Sequence, residues 1–147
     1  MGEEAQEVLL VEDGLDDVAF FMHAFTQAGL AAHLRVVRDG AEALDFIFCT
    51  GPYAQRGSAN RPKLIILDLK LPKVDGVEVL RRLKEDSRTR MIPVVILSSS
   101  QEERDLVESY ALGVNSFVVK PMDFDQFSQS VRMIAQYWLQ LNHTPKP

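Results

Sequence analysis

Val8-Leu9-Leu10-Val11-Glu12-Asp13 is a run of four apolar residues that stops abruptly on two carboxylates. With no polar position inside it, such a run suits a strand covered on both faces, as in a parallel sheet. The same shape recurs along the chain: Leu64 to Leu67 ends on Asp68, Val94 to Leu97 on Ser98, and Phe117 to Val119 on Lys120. A fifth segment, His33 to Arg38, sets Leu34 and Val36 on one face and Arg35 on the other, the pattern of an edge strand. Phe117 to Val119 supplies the opposite edge.

Helical patterns fill the intervals. In Asp16 to Ala28 the residues Val18, Phe21, Met22, Phe25 and Ala28 share a face, acidic residues open the segment and Gly29 follows its end. Asp39 can cap a helix running to about Phe48, Gly76 to about Asp86 gives a third, and Glu102 to Leu112, closed by Gly113, a fourth. The last runs from about Asp123 to Leu141, with Phe124, Phe127, Val131, Ile134, Trp138 and Leu141 as its core-facing seam. Met133 and Tyr137 fall outside that seam as an exposed apolar pair or partner face. The residues from Thr50 to Pro62 read as a long loop. Alternation of this kind predicts an α/β fold: a five-stranded parallel sheet, flavodoxin-like, in the order 2-1-3-4-5, with helices on both faces.

Composition narrows the function. The 147 residues are 46% hydrophobic, enough for one packed core, and Cys49 is the only cysteine, so no internal disulfide can form and a reducing cytoplasm is expected. An acidic start, Glu3, Glu4 and Glu7, is unlike a signal peptide, and no apolar run approaches the ~20 residues of a membrane span. A formal net charge of −5 argues against non-specific nucleic-acid binding. The basic group Arg81, Arg82 and Lys84 reads as a solvated helix face offset by Glu78, Glu85 and Asp86.

In a sheet of this order, ligands sit beyond the carboxyl ends of the strands. Those ends deliver Glu12, Asp13, Asp68, Ser98 and Lys120. Taken singly, each has a plainer reading: Asp13 or Asp68 as a helix N-cap, Ser98 as loop punctuation, Lys120 as an exposed lysine. Taken together they crowd three carboxylates, and two carboxylates 5 Å apart repel by roughly 3 kcal/mol at an effective dielectric of 20. A hard divalent cation relieves that repulsion, and Mg²⁺ favours such oxygen donors. The set suits metal-assisted phosphoryl transfer, with Asp68 as nucleophile, Mg²⁺ as main charge stabiliser, Lys120 as a second cation and the Ser98 hydroxyl as donor to a phosphoryl oxygen.

These residues resemble the receiver domains of two-component response regulators. The acidic pair Glu12 and Asp13, Asp68 followed by Leu71-Pro72 and Asp75-Gly76, Ser98 at 98 − 68 = 30 residues further, and Lys120-Pro121 at 120 − 98 = 22 beyond that match the family's motifs. The resemblance runs from Val8 to about Leu141, and implies a receiver domain over residues 7–142 with short flexible tails at 1–6 and 143–147. It implies that Glu12, Asp13 and Asp68 hold Mg²⁺ together with the backbone carbonyl of Lys70, that the Lys120–Pro121 bond is cis, and that Ser98 and then Phe117 move when Asp68 is phosphorylated. Phe117 stands where many receivers have Tyr, so any step needing a phenolic hydroxyl is absent. Lys70 and Ser100 occupy positions that tune phosphoryl lifetime.

The implied partner is a sensor histidine kinase. The long loop and the closing Tyr137-Trp138-Leu139 are most similar to single-domain regulators of bacterial phytochrome kinases. Pairing through the fourth helix, fifth strand and fifth helix into a homodimer is also implied. Phe20, expected opposite the first helix's core face, is either a kinase contact or an incidental exposed aromatic. The alternative function is a scaffold of the same fold that signals without phosphate. A haloacid-dehalogenase-type phosphatase would need Asp where Lys70 stands, a flavodoxin would need a phosphate-cradling loop where Glu12, Asp13 and Asp16 lie, and a histidine phosphotransfer protein would be helical. With only His143 to Pro147 after the last helical pattern, a DNA-binding output domain is not expected.

Overall fold

A computed structural model describes residues 8–57 and 61–145. The expected tail at 1–6 lies outside the described residues, and of the other, residues 143–145 are described and are not helical.

Five strands form one parallel sheet in the order β2-β1-β3-β4-β5. They are β1 Val8–Val11, β2 Leu34–Val37, β3 Leu64–Leu67, β4 Val94–Ser98 and β5 Ser116–Val119. The expected edge strand is shorter than its apolar pattern, because His33 belongs to a 3-10 turn at Ala31–His33. The helices are α1 Leu15–Gln27, α2 Gly40–Phe48, α3 Gly76–Glu85, α4 Glu103–Ala111 and α5 Phe124–Gln136, which continues as a π-helical turn over Tyr137–Leu141. Three helices begin on an aspartate whose carboxylate accepts first-turn N–H groups: Asp39 from Glu42, Asp75 from Val77 and Glu78, and Asp123 from Gln126.

Each fully apolar strand feeds two cores. Val8 and Leu10, with Leu64, Ile66, Val95 and Leu97, pack against α1 and α5 through Phe21, Phe25, Phe127, Val131 and Ile134. Leu9 and Val11, with Ile65, Leu67, Val94 and Ile96, pack against α2 and α3 through Ile47, Phe46, Val79, Leu80 and Leu83. The result is a three-layer sandwich, which explains why the central runs contain no polar position. α4 contributes little to either core, and Ser109 is its only buried residue.

Several side chains depart from the sequence reading. Met22 is exposed, and Phe20 turns instead toward α5, stacking edge-on against Phe124 and Phe127 with centroids 4.9 and 5.8 Å apart. α1 is covered by α5 as well as by the sheet, so its buried arc is displaced from the face chosen on apolar spacing alone. At the ends of the α5 seam Phe124, although its ring meets Phe20 and His23 of α1, and Leu141 are exposed; Met133 and Tyr137 are exposed as expected. Lys84 is not part of a solvated face: its ammonium donates to the carbonyls of Arg90 and Ile92, both at 3.0 Å, and to Asn115 Oδ1 at 3.3 Å. Arg81 and Arg82 do pair with Glu78 on the surface. Within the described part of the long loop, Tyr53 donates to Glu42 and accepts from Arg35, both at 2.7 Å, which pins that stretch to α2 and β2.

Candidate functional site

Register brings the carboxylates together. Val11 of β1 lies opposite Leu67 of β3, so the next residues, Glu12 and Asp68, leave the sheet side by side. Their backbones are still held as strand: Glu12 N–H donates to the Val37 carbonyl at 3.0 Å and Asp68 N–H to that of Val11 at 3.1 Å. Glu12, Asp13 and Asp68 each present a carboxylate oxygen within 4.8 Å of the other two, with Glu12 and Asp68 buried and Asp13 exposed.

The loop leaving Asp68 is shaped by two close approaches. A Cβ on Gly76 would lie 2.2 Å from the Asp68 carbonyl oxygen, and one on Gly40 would lie 1.8 Å from that of Val74. Only glycine lets the N-termini of α2 and α3 nest against this loop. Gly76 N–H donates to the Leu69 carbonyl at 2.8 Å, closing the turn that follows Asp68.

Lys120 arrives from the end of β5. Its N–H donates to the Ser98 carbonyl at 2.7 Å, and its ammonium donates to Glu12 Oε1 at 2.7 Å, Asp17 Oδ2 at 2.7 Å and Asp68 Oδ2 at 3.0 Å. No peptide bond among the described residues is cis, so the expectation for Lys120–Pro121 is corrected: the bond is trans. Trans is the favoured isomer by about 0.5–1 kcal/mol for X–Pro, and here the lysine is aimed by its three carboxylate partners and its β4 hydrogen bond.

At the centre of the site three carboxylates, Glu12, Asp17 and Asp68, share the Lys120 ammonium. Burial pushes the Glu12 carboxyl up to about 7; hydrogen bonds from Lys120 and Gly14 oppose the rise and the charge of Asp68 adds to it. Burial works against the Lys120 ammonium, yet Asp17, Glu12 and Asp68 together hold its pKa above the usual lysine range. A buried carboxyl raised so far, beside two other oxygen donors, fits a hard divalent cation such as Mg²⁺.

The remaining expected residues surround this group. Ser98 ends β4, buried, and its hydroxyl oxygen accepts the Ser100 N–H at 3.2 Å. Phe117 is half-buried against the α2–α3 core. Lys70 is exposed, and its N–H points to Asp68 Oδ1 at 3.4 Å. Asp13, Lys70, Pro72, Asp75, Arg104 and Asp105 line an open cleft of about 540 Å³ beside the carboxylates.

Three participants escape the sequence reading. Asp17 is a direct Lys120 partner, although its position had suggested only a helix N-terminal charge. Arg38 donates to the Asp13 carbonyl at 2.9 Å. Asp105 accepts the Ser100 hydroxyl at 2.6 Å, tying the β4–α4 loop to α4. Residue spacing predicts neither the Asp17 nor the Arg38 contact, since each depends on elements far apart in sequence.

Comparison with known proteins follows the same lines. A family model described as the response regulator receiver domain matches residues 8–132. The chain is 39% identical over 140 residues to a probable methanogenesis regulatory protein, FilR2, of Methanothrix harundinacea, covering 95% of this chain and 88% of the relative. It is 36% identical over 133 residues to response regulator Rcp1 of Synechocystis, covering 90% and 88%. Among solved structures, it superposes on the phosphorylated cyanobacterial phytochrome response regulator RcpA with a TM-score of 0.89 at 38% identity, covering 97% of this chain and 99% of that one. The Mn²⁺-bound form of Rcp1 superposes with a TM-score of 0.86 at 36% identity, covering 94% and 97%.

Proposed function

The chain belongs to the response-regulator receiver family, and from that premise we propose that it is a phosphorylation switch whose Asp68 accepts a phosphoryl group from a sensor histidine kinase with the help of Mg²⁺. The observation that carries this reading is the placement of three oxygen-donor carboxylates at the in-register ends of β1 and β3, with one ammonium reaching them from the end of β5.

In the transfer, an Asp68 carboxylate oxygen attacks the phosphorus of a phosphohistidine; the new P–O bond forms as the P–N bond breaks, and the imidazole leaves. Glu12, Asp13, Asp68 and the Lys70 backbone carbonyl would hold the cation, which when bound supplies positive charge to offset that of the transferring oxygens. Lys120, already on Asp68 Oδ2, contributes a second positive charge. The Ser98 hydroxyl, whose oxygen accepts the Ser100 N–H, donates its own proton to a phosphoryl oxygen, and Phe117 follows it inward. Hydrolysis of the acyl phosphate resets the switch, with Lys70 and Ser100 setting its rate. The chain thus catalyses chemistry on itself and is no enzyme acting on a separate substrate.

The surface that changes is α4–β5–α5. α4 is weakly anchored, and Val107, Tyr110, Val119, Met133 and Tyr137 are exposed there. We place a homodimer contact on this face. A monomeric mass by analytical ultracentrifugation at micromolar concentration, both with and without beryllofluoride, would refute the dimer.

Similarity to the cyanobacterial phytochrome response regulator RcpA supports a bacterial phytochrome kinase as donor. As the proposed acceptor of a sensor kinase's phosphoryl group, the receiver unit, residues 7–142, is assigned to the cytoplasm; separately, no helix among the described residues is long and apolar enough to cross a membrane. ¹⁹F NMR with beryllofluoride tests the acceptor site. Bound fluorine signals are expected only for wild type with Mg²⁺, absent in Asp68→Asn and after chelation. Their absence from metal-loaded wild type would favour a scaffold that signals without phosphate.

A further inference from the structure

We propose that Asp17 is a positioning residue that anchors the Lys120 ammonium beside Asp68 when a divalent cation occupies the carboxylates. The inference rests on the phosphoacceptor reading and adds a residue to it.

Lys120 has three N–H donors, and Glu12, Asp17 and Asp68 match them one for one, at 2.7, 2.7 and 3.0 Å. Its side chain is 10% exposed, so water contributes little to its solvation. Two of the three partners, Glu12 and Asp68, belong to the set of oxygens close enough to share a cation; Asp17 does not. A dication at that set competes for Glu12 and Asp68 and repels the ammonium. Asp17 is then the one partner whose full charge stays with the lysine.

The start of α1 is arranged for this role. Asp17 is the third residue of the helix, where a carboxylate commonly reaches back to the N-cap N–H. Here the N-cap is Gly14, and its N–H donates to Glu12 Oε2 at 3.1 Å instead. Glu12 thus takes over the capping contact, and the Asp17 carboxylate is left to Lys120, 103 residues away in sequence. Because α1 is packed against α5 and the sheet, the anchor sits on a rigid element. Anchored on that side, Lys120 can release its Glu12 and Asp68 contacts and turn those donors to phosphoryl oxygens without leaving the site.

The test compares wild type, Asp17→Asn and Asp16→Asn. Asp16→Asn removes the same charge from the neighbouring, exposed position and controls for the general field. In Mg²⁺-loaded, unphosphorylated protein, NMR of the Lys120 side-chain ¹³Cε and ¹⁵Nζ should show an ordered ammonium in wild type and Asp16→Asn and a mobile one in Asp17→Asn. Phosphorylation by acetyl phosphate at saturating Mg²⁺ should slow by about tenfold in Asp17→Asn, while Mg²⁺ affinity changes by less than about threefold. Loss of charge alone would make an anionic donor react faster. An unchanged Lys120 signal overturns the anchor, and a rate that is unchanged or faster overturns its part in transfer. Failure of wild type to take up phosphoryl would strike the phosphoacceptor reading instead, and the NMR comparison would still decide the anchor.

Discussion

Loading a divalent cation at the carboxylate cluster should expel a proton from Glu12, and the amount is set by the burial of that side chain. Glu12 is 2% exposed, and burial is the main reason its carboxyl is pushed up from 4.5 to about 7 in the metal-free protein. A cation binds the carboxylate form only. At pH 7 about half the molecules must lose a proton on loading, at pH 6 about nine-tenths and at pH 8 about one-tenth. Isothermal titration calorimetry in buffers of different protonation enthalpy reads this number directly. Mg²⁺ affinity should weaken progressively below pH 7, approaching about tenfold per pH unit, and Glu12→Gln should abolish both the release and that dependence. The same carboxyl fixes a sign for stability. Its folded value lies above its unfolded one, so between them the native chain holds more protons. Metal-free protein is therefore most favoured by this group below pH 4.5, and loses up to about 3 kcal/mol as pH rises through 7. Release of fewer than about 0.2 protons per Mg²⁺ at pH 6 would show that Glu12 is already ionised and refute the reasoning.

Two substitutions probe the frame of the fold, one beside the site and one at the opposite end of the sheet. Gly76→Ala forces a methyl group to within 2.2 Å of the Asp68 carbonyl and should cost about 1–3 kcal/mol in urea unfolding; a loss below 0.5 kcal/mol, about the spread of neutral surface substitutions, would mean that the Asp68 loop yields freely. Lys84→Met removes the donor shared by Arg90, Ile92 and Asn115 and should cost about 1–3 kcal/mol, whereas a residue of a purely solvated face would leave the unfolding midpoint unchanged.

The strands were legible because each central one is buried on both faces, and burial on both faces leaves an uninterrupted apolar run. Three strand ends were legible for the same reason: Glu12, Asp68 and Ser98 are the polar residues that end those runs, whereas Lys120 ends the shorter apolar run of β5, a half-buried edge strand. Helix faces were less so. Phe20 and Met22 are two residues apart on α1, and which of them is covered depends on where α5 lies, a fact absent from the periodicity of α1 itself. Lys84 has the composition of a surface residue, and its three acceptors come from the turn before β4 and from the segment leading into β5. Asp17 was hidden by a sufficient local explanation, since an acidic residue in a first helical turn already has a role with the helix dipole.

The most direct measurement of the central claim is intact mass after incubation with acetyl phosphate, for wild type with Mg²⁺, wild type with the metal chelated, and Asp68→Asn with Mg²⁺. A gain of one phosphoryl group in metal-loaded wild type alone is the predicted result; an equal gain in Asp68→Asn, or in chelated wild type, would contradict it.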